Sequence, residues 1–173
     1  MNASLKFTLV LCCCLFLSFV QEDNRITWTE ERRLSWDDFK GSPVASNPAA
    51  ALTYTDIKTS AQSNGNGVVT VMVDNYFDKQ LSWTKNKISK ELLAHEQLHF
   101  DITEVYTRLL REKLTSIATP EAIKSGKFNR ESTKILTDWK QCQNKYDNET
   151  NHGTLAEKQK EWEEKIHSML GMK

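Results

Sequence analysis

Two histidines and a glutamate, His95, Glu96 and His99, have the spacing of the zinc-binding motif H-E-x-x-H. Side chains four residues apart on an α-helix project from the same face, so both imidazoles can bind one metal ion. Glu96 then lies where its carboxylate can reach a water molecule on the metal without binding the metal itself. The motif therefore predicts a hydrolytic Zn²⁺ site with Glu96 as the general base.

A long helix is predicted around the motif, at residues 88–114. Apolar residues recur there at three- and four-residue spacing, and neither Gly nor Pro interrupts the pattern. His95 and His99 fall on the apolar face of this helix, in line with Leu92 and Ile102. The two imidazoles should therefore face a covered cleft and not bulk water.

A catalytic zinc ion needs three protein ligands, and the motif supplies two of them. Asp101 and Glu104 are close in sequence, but they lie about 200° and about 140° round the helix from His99, so they point away from the metal. No glycine turn follows His99 to bring a third ligand from the next few residues. A distant segment must therefore supply the third ligand.

Four candidates for this third ligand lie in the last quarter of the chain: Asp147, Glu149, His152 and His167. His152 lies in a polar stretch between two predicted helices, and a loop held at both ends can present an imidazole. His167 lies on a helix rich in Glu and Lys, where a surface position is expected. The sequence favours His152 and leaves Glu149 and Asp147 as alternatives.

The N-terminal residues 1–20 have the pattern of a secretory signal peptide, with Lys6 before a short apolar run. At about 14 residues this run is short for a membrane span, and an uncleaved N-terminal anchor is the alternative. Residues 21–173 are then a single exported domain, secreted or periplasmic. Three of the four cysteines lie in the signal peptide, so the domain keeps Cys142 and has no internal disulfide. Cys142 is expected to be a half-buried helix residue, with a zinc ligand or nucleophile as the alternative.

The charge balance argues against two classes of partner. Lys and Arg together number 23, as do Asp and Glu. No large basic surface is therefore available to bind nucleic acid or an anionic membrane. We expect neither a nucleic-acid partner nor stable membrane insertion after removal of the leader.

Strand patterns precede the predicted metal helix, and helical patterns follow it. Residues 51–60 and 67–77 are rich in strand-forming side chains, and the Asn and Gly residues at 64–67 suit a hairpin turn. After the metal helix and a short helix, further helices are predicted at 131–145 and 154–170. This order predicts an α+β domain, in which a small antiparallel hairpin sheet packs on the H-E-x-x-H helix beside two or three C-terminal helices.

The stretch from Leu92 to Ile102, together with residues 34–41 and 146–153, resembles a bacterial domain-of-unknown-function family described as predicted secreted zinc-dependent proteases. The likeness covers nearly the whole mature chain, and the extended histidine motif is its most specific part. The resemblance implies a small zincin-like domain, a leader for export, and metal ligands at His95 and His99.

These observations predict a secreted zinc metallopeptidase acting on a peptide or protein substrate. Zinc on the two motif histidines and His152 would acidify a bound water to a pKa of about 7, and Glu96 would take its proton. Tyr146 is the candidate donor to the oxyanion. The alternative is a non-catalytic secreted or envelope binding module that contains zinc. A zinc hydrolase that acts on another amide, such as a cell-wall peptide bridge, also remains open.

Overall fold

The computed structural model describes residues 24–172, and the predicted signal peptide at residues 1–20 lies outside them. Within the described range the chain forms five β-strands and then four α-helices. In chain order they are β1 (Arg25–Ile26), β2 (Ala51–Leu52), β3 (Thr55–Ser63), β4 (Val69–Asp78), β5 (Trp83–Thr84), α1 (Lys90–Ser116), α2 (Pro120–Lys124), α3 (Lys127–Thr150) and α4 (Ala156–Leu170). The predicted α+β class is confirmed. No helix in that range is long and apolar enough to cross a membrane.

The predicted hairpin forms the centre of the sheet. β3 and β4 pair in antiparallel fashion along the whole of β3. In the turn between them the side-chain oxygen of Asn64 accepts hydrogen bonds from the backbone N–H groups of Asn66 and Val68. Asn favours turns because it can close them through such bonds. β1 pairs with the other edge of β4, and β2 pairs with β5 in a separate two-stranded ribbon.

Helix α1 lies between the sheet on one side and α3 and α4 on the other. The hydroxyl of Ser89 caps its start by accepting a hydrogen bond from the backbone N–H of Leu92 at 3.1 Å. The helix therefore begins after Ser89, and Ile88, which the apolar pattern placed inside it, stays outside and exposed. The rest of the predicted helix is confirmed, including the segment that carries His95 and His99.

Two groups of buried side chains hold α1 in place. The larger one joins α1 to α3, α4 and the sheet, and includes Ile57, Val73, Leu98, Ile102, Val105, Leu110, Leu114, Trp139, Tyr146, Trp162 and Ile166. The smaller one joins α1 to β1, β4 and the segment before β2, and consists of Ile26, Leu34, Phe39, Phe77 and Phe100. Full burial of each large apolar side chain stabilises the fold by about 1.5–3 kcal/mol. The motif helix is thus anchored from opposite sides.

Helix α3 is longer than the sequence predicted. Its expected end was Lys145, but the helix continues to Thr150, so that Tyr146 and Asp147 lie on a helix and not in a polar loop. Residues 146–153 were expected to connect two helices. Only residues 151–153 of this stretch lie outside a helix. This difference decides which side chain reaches the two histidines.

The turn between α3 and α4 is made by three successive residues with positive φ. Asn151, His152 and Gly153 have φ angles of 47°, 54° and 79°. The backbone N–H of His152 donates to the carbonyl oxygen of Asp147 at 2.8 Å, as in the Schellman ending of a helix. The turn folds α4 back against α1 and brings Gly153 next to His95.

Candidate metal centre

Three side chains from two helices converge at one point. The Nε2 atoms of His95 and His99 on α1 lie 3.1 Å and 3.0 Å from the Oδ1 atom of Asp147 on α3. All three potential ligand atoms lie within 4.8 Å of one another. Zinc bonds of about 2.0–2.2 Å in tetrahedral geometry separate neighbouring ligand atoms by about 3.3–3.6 Å. The two distances to Asp147 therefore differ from the range for a zinc site by only a few tenths of an ångström.

The electrostatics of the three groups favour a bound cation. Burial alone would raise the pKa of the Asp147 carboxyl, but its hydrogen bonds with His95 and His99 outweigh burial and hold the pKa well below its usual range. Burial would likewise lower the pKa of His99, yet Asp147 and the nearby charge of Glu96 raise it. The carboxylate is therefore ionised and draws positive charge to this point, as a proton on the imidazoles or as a metal ion.

His152, the third ligand favoured by the sequence, lies at the edge of this group. Its side chain is 71% exposed, and its Nδ1 atom is 3.6 Å from Asp147 Oδ1. The cause is the longer helix α3, which ends before His152 and turns Asp147 towards the two motif histidines. The geometry therefore replaces His152 with Asp147, one of the alternatives, as the third member of the cluster.

The remaining candidates for the third ligand, Glu149 and His167, lie away from the cluster. Glu149 accepts a hydrogen bond from the indole N–H of Trp162 at 2.9 Å. His167 is partly buried, not at the open surface as expected, and its Nε2 atom lies 3.6 Å from Asp101 Oδ2. Neither residue belongs to the cluster of ligand atoms found within residues 24–172.

Asp101 and Glu104, which helix geometry excluded as metal ligands, do point away from the cluster. Asp101 accepts hydrogen bonds from the indole N–H of Trp28 at 2.7 Å and from the guanidinium of Arg33 at 2.9 Å. Glu104 accepts a hydrogen bond from the side-chain amide of Asn75 at 2.7 Å. These carboxylates tie α1 to the N-terminal segment and to β4, and their role is structural.

Glu96 is buried, with 4% of its surface exposed, and its side chain lines the pocket beside the two histidines. Among the described residues no hydrogen bond or ion pair reaches its carboxylate. A carboxylate that lines a pocket beside two imidazoles and has no protein partner is placed to act on a bound ligand. Its position is the one predicted for a general base.

The pocket is a cleft of about 510 Å³ between α1, α3 and the segment at residues 49–55, which includes β2. The hydroxyl of Thr53 donates a hydrogen bond to the backbone carbonyl of Glu96 at 3.2 Å and ties that segment to α1. Lys140 and Asn144 line the wall formed by α3. The cleft has the size of a site for a short peptide or another small molecule.

Tyr146 does not occupy the position that an oxyanion donor needs. It is fully buried, and its hydroxyl lies 3.2 Å from the backbone oxygen of His95 and 2.7 Å from Oε1 of Gln159. Its ring stacks on the imidazole of His95 at a centroid distance of 4.6 Å. Tyr146 therefore lies behind His95 and is not among the residues that line the pocket, so its predicted role as a donor to the oxyanion has no support from this geometry.

Three residues that the sequence analysis did not select also contact the two histidines. Gln143 and Gln159 each place a side-chain oxygen next to an imidazole Nδ1 atom. Gly153 lies so close that a Cβ atom there would be 2.8 Å from Cγ of His95. The positive φ of Gly153 and this close approach both require glycine. Gln143 lies one helical turn before Asp147, and that spacing is the signal that could have identified it.

Cys142 is half-buried on α3 and is not part of the cluster. Burial raises the pKa of its thiol above the ordinary range, although a hydrogen bond with Tyr106 acts in the opposite direction. In protein that lacks residues 1–20, we expect its reaction with a disulfide reagent at about pH 8 to be at least about tenfold slower than in the unfolded chain. A similar rate in both states, or loss of bound zinc in Cys142→Ser, would contradict this assignment.

Comparison with known proteins identifies a family. No curated protein and no solved structure matches the chain. A family model described as "Bacterial protein of unknown function (DUF922)" matches residues 40–153, more than half of the chain. The matched residues include both motif histidines, Glu96 and Asp147, and they end at the turn before α4. The chain therefore belongs to the DUF922 family of bacterial proteins.

Proposed function

We propose that the protein is a zinc-dependent peptidase in which His95, His99 and Asp147 bind the ion and Glu96 is the general base. The observation that carries this proposal is the carboxylate of Glu96, which lines the pocket without a protein partner among the described residues, beside three convergent groups that suit zinc. A structural zinc site usually has four protein ligands and needs no further carboxylate. Three ligands and a neighbouring carboxylate are typical of a catalytic site, which argues against the non-catalytic binding module.

The donor set is chemically appropriate for zinc. Two imidazoles and one carboxylate occur together in catalytic zinc sites, where a fourth position stays open. The Nε2 atoms and Asp147 Oδ1 face one another. Zinc in such a site lowers the pKa of a bound water and polarises a substrate carbonyl.

In this mechanism Glu96 would transfer the proton, and the three metal ligands would hold their positions. A carboxylate oxygen of Glu96 accepts a proton from the attacking water as the new C–O bond forms at the substrate carbonyl. The same carboxyl group gives the proton to the amide nitrogen as the C–N bond breaks. His95, His99 and Asp147 hold their positions throughout, because α1 and α3 pack through the larger group of buried side chains.

The cleft suggests how a peptide would lie. β2 pairs with β5 along one edge, and within the described residues no strand covers its other edge. Residues 49–55 line the cleft next to Glu96. An extended substrate could add to this segment by backbone hydrogen bonds, a common mode of peptide recognition. With the predicted leader at residues 1–20, the proposed place of action is the periplasm or the cell exterior.

The proposal is tested by removal and return of the metal. Purified protein should contain about one zinc per chain and should cleave some members of a mixture of peptides and isolated cell-wall peptides, detected by mass spectrometry. Dialysis against a chelator should abolish cleavage, and one equivalent of zinc should restore it. His167→Ala is the matched control and should keep its zinc. Protein that binds no zinc, or cleavage that survives chelation, would rule out the proposal, whereas bound zinc without cleavage would favour the binding module.

A further inference from the structure

Each motif histidine has its second ring nitrogen next to the side-chain oxygen of a glutamine. His95 Nδ1 lies 3.2 Å from Oε1 of Gln159 on α4, and His99 Nδ1 lies 2.6 Å from Oε1 of Gln143 on α3. A neutral imidazole carries one N–H, so a proton held on Nδ1 leaves the lone pair of Nε2 free to bind a metal. In both residues it is Nε2 that faces Asp147.

The orientation of the Gln143 amide follows from its other contacts. Its Nε2 group donates hydrogen bonds to the backbone oxygen of His99 at 2.9 Å and to the hydroxyl oxygen of Thr103 at 3.1 Å. Because these two acceptors fix the nitrogen, the oxygen must face the imidazole of His99.

The Gln159 amide is held by its oxygen alone. Its Oε1 atom lies 2.7 Å from the hydroxyl of Tyr146 as well as near His95, whereas its Nε2 atom is buried and has no partner among residues 24–172. A buried donor without a partner is unfavourable and calls for an explanation. The oxygen of Gln159 is the atom that faces both His95 Nδ1 and the Tyr146 hydroxyl.

We propose that Gln159 is a positioning residue that keeps the His95 proton on Nδ1 and so directs Nε2 into the metal site, as Gln143 does for His99. The proposal rests on the metal-binding part of the proposed function and not on peptidase activity. It assigns a role to α4, which lies beyond the residues matched by the family model. Helices α1 and α3 then provide the ligands, and α4 orients one of them.

Zinc affinity of three variants provides the first test. Gln159→Leu removes the acceptor at similar size and should lower the affinity about 10–100-fold, as loss of an outer hydrogen-bond partner does elsewhere. Gln159→Glu retains an acceptor for His95 and Tyr146 and loses only the unpartnered nitrogen, so its affinity should equal or exceed that of the wild type. Gln141→Leu is the matched control on the exposed side of α3 and should change nothing. Competition with a chromophoric chelator measures all four proteins.

The second test needs no activity. In zinc-loaded protein, ¹H–¹⁵N NMR should show a slowly exchanging Nδ1–H proton on His95, because that proton is hydrogen-bonded to Oε1 of Gln159. In Gln159→Leu the same proton should exchange with water faster, because its acceptor is gone.

Equal zinc affinity in wild type and Gln159→Leu, or an Nδ1–H proton that exchanges equally fast in both, would overturn the role of Gln159. If Gln159→Leu fails to fold, the affinity of Gln159→Glu still decides, and a value well below that of the wild type would overturn the role. Wild-type protein that binds no zinc would overturn the proposed function and this role with it, whereas zinc bound equally by wild type and Gln159→Leu would overturn only the role of Gln159.

Discussion

Glu96→Gln should lower kcat/KM for any substrate of the wild type by about 10²–10⁴-fold and should leave about one zinc bound per chain. An amide has nearly the shape of the carboxylate but cannot accept the proton of the attacking water. The carboxylate of Glu96 has no hydrogen bond or ion pair within residues 24–172, so the substitution breaks no described contact. The amide has the same size as the carboxylate, so the stability should be close to that of the wild type.

The measurements are zinc content, thermal unfolding and steady-state kinetics on the same preparation. Glu91→Gln is the matched control, because Glu91 lies in the exposed first turn of the same helix. Its activity should equal that of the wild type. Full activity in Glu96→Gln would exclude Glu96 as the general base, and loss of zinc would mean that Glu96 binds the metal.

Asp147→Ala should weaken zinc binding by more than about 100-fold, whereas His152→Ala should change it by less than about threefold. Asp147 places Oδ1 close to both Nε2 atoms, and loss of a ligand should exceed the 10–100-fold effect typical of outer hydrogen-bond partners. His152 has a largely exposed imidazole, and none of its atoms belongs to the cluster.

Chelator competition on the two variants distinguishes these ligands directly. Asp147→Asn is an additional control for shape, because its amide oxygen is a weaker ligand without charge, and its affinity should fall between those of the wild type and Asp147→Ala. If His152→Ala loses zinc and Asp147→Ala retains it, His152 is the third ligand and Asp147 is not a ligand.

The sequence predicted the parts of the fold that depend on apolar periodicity and on turn residues. The helix around His95 and His99 was recognisable because apolar side chains line it at helical spacing. The hairpin was recognisable because Asn and Gly lie between two strand-forming stretches. Both signals are local, so no knowledge of tertiary contacts was needed.

The sequence ranked Asp147, the third member of the cluster, below His152 for a physical reason. The last turns of α3 carry polar residues on the face that meets the site, where Gln143 and Asp147 contact the histidines. A helix that presents polar groups to a buried polar site lacks the apolar stripe by which helices are recognised. The polar stretch was therefore interpreted as a loop, and the imidazole beyond its true end was chosen over the carboxylate within it.

The role of Tyr146 could not be predicted from spacing either. Its proximity to the expected third ligand suggested a donor in the pocket, but its position on α3 turns the ring beneath His95. The ring also packs against Trp162 of α4, and this is a contact between elements that are distant in sequence. Such contacts leave no signal in the local pattern.

The three left-handed residues that join α3 to α4 also set the angular phase between those helices. One residue added at the end of α3 would rotate everything after it by about 100° about the helix axis. Such a rotation would lift Gly153 off the ring that it covers and swing the Gln159 amide out of reach of His95. The number of residues in this connection is therefore fixed by the need to keep Gly153 and Gln159 in contact with His95.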